Sequence, residues 1–255
     1  MEMKLLLDID GTLCKSRQKI SEDMLIELKR LCNKYEVGLI TGSHKDYIIE
    51  QLNGFIHPNL VLMPCNGTQT WTWRSDGTWE LDEEVRISDK VEVQALVAEI
   101  EKVFQTMKPT LTQFGEPEGE RIQVRASLIN FCPIGRSSLP ERRARFEEFD
   151  KINLFRKDWL PELKKVASKY GCIAGFGGAT SFDIYPIGWN KLFGLEKFRS
   201  TIKENDIPLV AEGVLYVGNS FFEDGNDSCM LSSRDVVCIV VNDPPETLNV
   251  LKHLR

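Results

Sequence analysis

Two aspartates stand two positions apart near the start of the chain, Asp8 and Asp10, and Gly11-Thr12 follows them. A carboxylate such as that of Asp8 can attack the phosphorus of a phosphate ester, which forms an aspartyl-phosphate and divides one difficult displacement into two easier ones. A second carboxylate beside the leaving oxygen, here that of Asp10, can donate a proton in the first step and withdraw one in the second. Because Asp and Gly also form turns at many strand ends, an ordinary turn is the alternative interpretation of these residues taken alone.

Short apolar runs that end abruptly at polar residues indicate the elements that position these carboxylates. The runs are residues 4–7, 37–40, 214–218 and 236–241, and they are followed by Asp8, Thr41, Asn219 and Asn242. Apolar residues at helical spacing separate the first two runs, so this part of the chain is typical of a strand, helix, strand unit. In a parallel sheet, polar residues just past the carboxyl ends of the strands converge on one crevice, where ligands bind.

The middle of the chain has a different pattern. Residues 70–73 and 78–81 flank Ser75-Asp76-Gly77, which predicts a β-hairpin. Periodicity predicts helices over residues 89–107, 141–150, 158–170 and 189–198, and strands over residues 121–131 and 181–185. We therefore predict an α/β fold in which a Rossmann-like parallel-sheet core, residues 1–83 and 187–255, carries an inserted α/β cap domain, residues 84–186.

Charge, cysteine usage and hydropathy restrict the class of protein further. The 32 basic and 38 acidic side chains give a net charge of -6, the wrong sign for a general nucleic-acid or anionic-membrane binder. The longest apolar run, residues 236–241, is far shorter than the roughly 20 residues of a membrane helix. The seven cysteines include no C-x-x-C pair, so we expect reduced thiols and a cytoplasmic location.

The string of an apolar strand, D-x-D-G-T and a later T-G-S at the next strand end resembles the haloacid dehalogenase superfamily of phosphotransferases. The resemblance implies that Asp8 is the nucleophile and Asp10 the acid/base. Attack by an anion on a phosphate dianion needs a cation, and hard oxygen ligands select Mg²⁺, bound here by Asp8 and the backbone carbonyl of Asp10. Thr41 and Ser43 fit donors to phosphoryl oxygens, although T-G-S is a common turn, and Lys191 is the expected cation, with a solvated surface lysine as the alternative.

A basic block lies inside this acidic chain. Residues 121–145 contain one acid, no lysine and six arginines, namely Arg121, Arg125, Arg136, Arg142, Arg143 and Arg145. The planar guanidinium suits bidentate binding of phosphate, whereas a solvated face usually mixes lysines with acids. Some of these arginines are expected to be exposed on a surface helix. The block lacks interleaved aromatics, so nucleic acid is a poor fit.

Further motifs make the family resemblance more specific. V-R at 124–125, N-F-C-P-I-G-R-S at 130–137, S-F-D-I-Y-P at 181–186 and G-W-N-K at 188–191 closely resemble the eukaryotic-type phosphomannomutases, and the similarity runs almost end to end. The resemblance implies interconversion of mannose 6-phosphate and mannose 1-phosphate, with a hexose 1,6-bisphosphate as intermediate and activator, and a homodimer formed through a mobile cap. Carried over residue by residue, the substrate-binding set is Arg17, Arg125, Asn130, Arg136, Arg143, Ser181 and Asp183.

The chain departs from that family at one expected metal ligand. The family usually has Gly-Asp at the end of the late strand, whereas this chain has Gly218-Asn219. An Asn carbonyl can bind Mg²⁺ but carries no charge, so metal affinity should fall unless Asp224, Asp227 or Glu223 compensates. The early loop is T-G-S-H rather than G-G-S-D, which indicates altered substrate choice or lowered activity.

Two other functions remain as alternatives. A sugar-phosphate phosphatase with the same nucleophile would release free phosphate and need no bisphosphate activator. A catalytically weak sugar-phosphate-binding protein would bind ligand without Mg²⁺-dependent turnover. A mutase must keep its phosphorylated intermediate away from water, and a closing cap with its own phosphate site is the device expected for that purpose.

Overall fold

The computed structural model describes residues 3–200, 213–223 and 225–254. The chain divides into two compact units, a core unit made of Met1–Glu84 and Gly188–Arg255 and an inserted unit made of Val85–Ile187. No helix in the described ranges is both long and apolar enough to cross a membrane.

Strands and helices are numbered separately in chain order. The strands are β1 Lys4–Asp8, β2 Val37–Ile40, β3 Leu60–Met63, β4 Gln69–Trp73, β5 Trp79–Glu84, β6 Ile122–Val124, β7 Ile129–Phe131, β8 Cys172–Gly177, β9 Ser181–Pro186, β10 Val214–Gly218 and β11 Val236–Val240. The helices are α1 Glu22–Cys32, α2 Lys45–Gln51, the single turn α3 Pro64–Gly67, α4 Val93–Met107, α5 Pro140–Asn153, α6 Phe155–Ser168, α7 Lys191–Ser200 and α8 Pro244–Lys252.

The core unit is built on a seven-stranded sheet with the order β11-β10-β1-β2-β3-β4-β5. The first five strands are parallel, and the hairpin of β4 and β5 continues the sheet in antiparallel pairing. Residues of β1, β2, β3 and β10 are buried throughout, as continuous apolar runs covered on both faces require. The predicted α/β class, the parallel sheet and the Trp-rich hairpin are confirmed.

The order in which the chain adds strands to the sheet reverses between β1 and β10, although the two strands are parallel. The connection from β1 leads to β2 on one side, whereas β10 returns on the other side of β1. Such a switch point opens a crevice beyond the carboxyl ends of the two strands, the usual ligand site of doubly wound folds. Asp8 ends β1 and Asn219 follows β10, so both lie at this crevice.

The inserted unit contains a four-stranded antiparallel sheet with the order β6-β7-β9-β8. On one face Phe131 stacks on Phe182, with ring centroids 5.8 Å apart. On the opposite face Asn130 stands beside Asp183, its partner in the strand register. Because side chains alternate along a strand, this sheet has one aromatic and one polar face.

The prediction of a single strand over residues 121–131 is wrong. The segment forms two strands, β6 and β7, that pair with each other, and a turn closed by the bond from the Arg125 amide to the Leu128 carbonyl, 2.8 Å, separates them. Period-two alternation looks the same in one long strand and in two strands joined by a tight turn, so the pattern could not separate them. The helix predicted over residues 89–107 begins at Val93, after a short 3₁₀ turn at Ile87–Asp89.

Two glycines allow α3 to pack directly on α7. A Cβ atom on Gly67 would lie 2.3 Å from Cα of Gly194, and a Cβ on Gly194 would lie 2.4 Å from Cδ1 of Ile40. Gly67 also has a φ of +80°, a conformation that other residues adopt only with strain. Because α7 begins at Lys191, this contact determines where that lysine stands.

We expect Gly67→Ala to destabilise the protein by roughly 2–5 kcal/mol, through strain at positive φ and overpacking against Gly194. Urea unfolding measures the loss. Gly54→Ala is the matched control, because Gly54 has a φ of +84° but nothing within 4 Å of its added Cβ. It should lose only the conformational part, about 1–2 kcal/mol. Equal losses for the two variants would show that close packing of α3 on α7 contributes nothing.

Candidate active site

Lys191 is the centre of the site in the core unit. Its side chain is fully buried, and its Nζ donates to Oδ1 of Asp8 at 2.5 Å and to Oδ1 of Asp227 at 2.5 Å. The third N–H points to the hydroxyl of Tyr216 at 3.1 Å. All three donors of the ammonium group are therefore used. The surface-lysine alternative for Lys191 is excluded.

Asp227 is surrounded by donors. Its Oδ1 accepts from Lys191 and from the hydroxyl of Tyr216 at 2.5 Å, and its Oδ2 accepts from the amides of Asn219 at 3.0 Å and Ser220 at 2.8 Å. A carboxylate offers about four acceptor positions, and all are filled here. Asp227 thereby joins α7, β10 and the loop after β10.

Tyr216 is a site residue that the sequence analysis missed. It lies in the middle of β10, is fully buried, and bridges Lys191 and Asp227. A tyrosine in an otherwise aliphatic buried strand needs a hydrogen-bond partner, and that was the available signal. Burial, reinforced by the charges of Asp227 and Asp8, raises the pKa of its hydroxyl well above the ordinary value.

The two carboxylates that share Lys191 respond differently to burial. Burial raises the pKa of Asp8 to about 7, with the charge of Lys191 opposing this rise and that of Asp227 adding to it. Burial would also raise the pKa of Asp227, but the charge of Lys191 and the surrounding donors hold this pKa below its ordinary value. Burial disfavours the charged form of Lys191, yet the charges of Asp227 and Asp8 raise its pKa above the ordinary range. Asp227 thus carries its charge more readily than Asp8 does.

Asp10 is held on one side by two donors. Its Oδ1 accepts from the backbone amide of Arg17 at 3.2 Å and from Nε2 of Gln51 at 3.0 Å. Arg17 has a positive φ of 60°, which belongs to the loop conformation that presents this amide. Gln51 is a second residue that the sequence analysis missed, because it lies in a helix with no motif of its own.

Thr41 and Ser43 form a compact loop after β2. The Ser43 amide donates to Oγ1 of the buried Thr41 at 3.2 Å. The carbonyls of Ser43 and Thr41 accept from the amides of Cys65 at 2.9 Å and Asn66 at 2.8 Å, which ties the loop to α3. The loop therefore stands at the carboxyl edge of the sheet, as Asp8 does, and the phosphate role of its hydroxyls stays a prediction.

The other predicted residues lie in the inserted unit. Asn130 and Asp183 are buried on the polar sheet face, where Nδ2 of Asn130 donates to Oδ1 of Asp183 at 2.6 Å. Oδ1 of Asn130 and Oγ of Ser181 are buried without a hydrogen-bond partner in the described chain. Buried polar atoms of this kind are rare, and a bound ligand or water would satisfy them. Arg125 contacts the oxygen of Gln123 at 3.1 Å.

The arginine block does not act as one group. Arg121 pairs with Glu101 at 2.8 Å, and Arg142 pairs with Glu118 at 2.9 Å, so both are structural. Arg145 lies over the ring of Phe114. Three arginines of the block are predicted to bind substrate, and none of them is fully exposed: Arg125, Arg136 and Arg143.

The sequence analysis missed an ion pair, Arg156 with Asp150, that holds the backbone at Ser181. Nε of Arg156 donates to Asp150 at 2.6 Å, and Nη1 donates to the carbonyls of Gly178 at 2.6 Å and Ser181 at 3.3 Å. The same guanidinium lies over the ring of Phe176. Arg156 therefore anchors the turn between β8 and β9.

The oxygens beside Asp8 fit Mg²⁺ by chemical type. Oδ2 of Asp8 and Oδ1 of Asn219 both contact Oγ1 of Thr12, at 3.0 and 3.4 Å. Mg²⁺ takes hard oxygen ligands, often only one or two of them carboxylates. Asp227 has no acceptor left, Asp224 lies outside the described residues, and no three His, Cys, Asp or Glu side chains converge as metal ligands within the described ranges. The donors fit Mg²⁺ with Asp8 as the single carboxylate.

Solved structures share this fold. The chain superposes on an IMP-nucleotidase of Plasmodium falciparum with a TM-score of 0.63 and 16% identity, covering 100% of this chain and 68% of that one. It also superposes on a trehalose-6-phosphate phosphatase of Aspergillus fumigatus with a TM-score of 0.52 and 18% identity, covering 98% and 91%. These likenesses show that the chain shares the fold of the two solved proteins.

Sequence similarity is more specific than the fold. The family described as "Eukaryotic phosphomannomutase" matches residues 22–255. A phosphomannomutase of Spinacia oleracea is 30% identical over 249 residues, 95% of this chain and 92% of the relative. A phosphomannomutase of Saccharomyces cerevisiae is 26% identical over 261 residues, 99% of this chain and 94% of the relative. The chain belongs to the eukaryotic phosphomannomutase family.

We expect Lys191→Met to destabilise the protein by about 3–5 kcal/mol, because it leaves two buried carboxylates without their shared cation. Urea unfolding measures the change. Lys197→Met on the same helix is the control, since Lys197 pairs with Glu83 at the surface and should lose only about 0–1 kcal/mol. Similar losses for the two variants would show that the buried bonds of Lys191 to Asp8 and Asp227 do not stabilise the fold.

Proposed function

We propose that the protein interconverts mannose 6-phosphate and mannose 1-phosphate through an aspartyl-phosphate on Asp8 and a hexose 1,6-bisphosphate intermediate. The observation that carries the proposal is the buried contact of Asp8 with Lys191, 2.5 Å, in a chain of this family whose next carboxylate, Asp10, is held in place. The alternatives are a phosphatase with the same nucleophile and a weak sugar-phosphate-binding protein.

The first half-reaction transfers a phosphoryl group to Asp8. A carboxylate oxygen of Asp8 forms a bond to phosphorus, the bond from phosphorus to the leaving oxygen breaks, and Asp10 gives that oxygen a proton. Lys191 remains bonded to Asp8 and Asp227 and supplies fixed positive charge beside the reacting carboxylate. In the second half-reaction Asp10 withdraws a proton from a sugar hydroxyl, whose oxygen forms a bond to phosphorus while the bond from phosphorus to the Asp8 oxygen breaks and frees the carboxylate.

Asp8, the backbone carbonyl of Asp10 and Oδ1 of Asn219 would hold Mg²⁺ in this proposal. When bound, Mg²⁺ neutralises charge between the carboxylate and the phosphoryl oxygens. Asp227 orients the loop by accepting from the amides of Asn219 and Ser220. Because Asn219 is neutral, Asp8 supplies the only carboxylate of this proposed set.

The inserted unit supplies binding groups for sugar phosphate in this proposal. Arg125, Arg136 and Arg143 would bind the phosphate that is not reacting. Arg17 belongs to the core unit and is proposed as a further substrate-binding residue. Ser181, Asp183 and Asn130 would bind phosphate and sugar hydroxyls. The unpartnered oxygens of Ser181 and Asn130 support this assignment, since a hydroxyl ligand would satisfy both.

The deciding experiment incubates the protein with mannose 1-phosphate, Mg²⁺ and catalytic glucose 1,6-bisphosphate, and follows hexose 6-phosphate and free phosphate together. The 6-phosphate should accumulate only with the activator present. Asp8→Asn should abolish turnover, and Asp10→Asn should lower kcat about 10²–10⁴-fold because it removes general acid/base catalysis. Rapid release of free phosphate without 6-phosphate would establish the phosphatase instead. Ligand binding without Mg²⁺-dependent turnover would establish the binding protein.

We also propose a homodimer formed through the inserted unit. Large apolar side chains are exposed on this unit, among them Leu139, Ile152 and Leu154, and they support an interface there. Size-exclusion chromatography with light scattering should give twice the 29.1 kDa mass of one chain. A single-chain mass at every concentration tested would contradict the dimer.

A further inference from the structure

Gln51 is a buried polar residue on the core-facing side of α2. It is 2% exposed, between the buried apolar residues Ile48 and Leu52. An amide placed among apolar side chains destabilises the fold unless it finds hydrogen-bond partners. Its Nε2 lies 3.0 Å from Oδ1 of Asp10 and 3.3 Å from Sγ of Cys14. The residue therefore connects α2 to the loop that carries Asp10.

Chemistry determines which end of the amide faces Asp10. With the amide reversed, its carbonyl oxygen would meet a carboxylate oxygen, and two acceptors repel each other. The NH₂ group must therefore point to Asp10, as it does here.

The two oxygens of Asp10 consequently differ. Oδ1 accepts two N–H bonds, from Gln51 and from the backbone of Arg17, whereas Oδ2 has no hydrogen bond to any described residue. Both donors are amides and cannot accept a proton. A proton carried by this carboxyl group is therefore excluded from Oδ1 and resides on Oδ2.

The same face of α2 has further unsatisfied polar atoms. Oε1 of Gln51 and the hydroxyl of Tyr47 are buried without a hydrogen-bond partner in the described part of the chain. Residues four apart share one face of a helix, so Tyr47 and Gln51 are neighbours. Burial, and after it the charge of Asp10, raises the pKa of the Tyr47 hydroxyl to about 12. Buried polar atoms without partners are rare, and a bound ligand or water would satisfy them.

We propose that Gln51 is a positioning residue for the acid/base: its amide holds Oδ1 of Asp10 so that Oδ2 exchanges the proton with the leaving and attacking oxygens. This inference rests on the proposed function, because it assumes that Asp10 transfers that proton. General acid/base catalysis requires the acid within about 2.6–3.2 Å of the oxygen it protonates, so a carboxyl group free to rotate loses efficiency.

The test compares substrates that need the proton with substrates that do not. Gln51→Met keeps the side-chain length but removes the donor. We expect kcat for mannose 1-phosphate to fall about 10–100-fold while KM changes less than about threefold. The first-turnover release of p-nitrophenolate from p-nitrophenyl phosphate, which reports only transfer of the phosphoryl group to Asp8, should change less than about threefold, because this leaving group departs as a stable anion and needs no proton. An equal fall for both substrates would overturn the proposal, since damage to the nucleophile or to the fold acts on both.

Two control variants separate the bond to Asp10 from its surroundings. Cys14→Ala removes the other contact of Gln51 and should leave the ratio of the two activities at the wild-type value. Gln69→Met removes an amide donor to a carboxylate, that of Glu84, elsewhere in the core unit and should also leave the ratio unchanged. A shift in the ratio for either control would contradict a specific role for the bond between Gln51 and Asp10.

If Gln51→Met does not fold, a second variant tests the same hydrogen bond. Gln51→Glu exchanges the donor group for an oxygen of the same size, and it should show the same selective loss with mannose 1-phosphate. A wild-type protein that hydrolyses both esters but forms no 6-phosphate would overturn the proposed mutase and still allow the ratio to test Gln51. No Mg²⁺-dependent turnover of either ester by the wild-type protein would overturn both.

Discussion

The structure of the core unit depends on one buried ammonium group. Lys191 has no exposed surface and donates its three N–H bonds to Asp8, Asp227 and Tyr216. Removing a charge from water is costly, and the attraction of its partners offsets that cost only when geometry and hydrogen bonding are complete. Here they are complete for the lysine and for Asp227. Asp8 is the least saturated member, which suits the nucleophilic role proposed for it.

Several elements must meet accurately for this cluster to form. Asp8 comes from the end of β1, Tyr216 from the middle of β10, and Lys191 from the first position of α7. The α7 helix approaches α3 closely because both contact points are glycines. A small displacement of α7 would leave buried charges without partners, so packing and electrostatics constrain the same element.

In the inserted unit, buried polar side chains are neutral, hydrogen-bonded or paired with a group of opposite charge. Its sheet buries aromatic rings on one face and keeps Asn130, Asp183 and Ser181 buried on the other. Arg156 and Asp150 hold the turn beside Ser181 through bonds to backbone carbonyls. Some arginines of this unit pair with acidic side chains of the fold, such as Arg142 with Glu118.

The sequence by itself determined the features of the fold that depend on short segments of the chain. Apolar runs ending at polar residues predicted the parallel strands and the positions of Asp8 and Asn219, because burial and strand-end polarity are properties of short segments. Motif similarity predicted the importance of Lys191 and Asp227, although a lone lysine before a helix could equally be a surface residue.

Only the tertiary structure decided which side chains meet. Tyr216 and Gln51 carry no motif, and their roles appear only when β10 and α2 bring them to Asp227 and Asp10. Likewise, the sequence grouped six arginines that have different partners in the structure. The alternation of apolar residues could not distinguish one strand from the pair β6 and β7. Hydrogen bonds between residues far apart in the chain depend on distances that the order of residues does not contain, and folding alone establishes those distances.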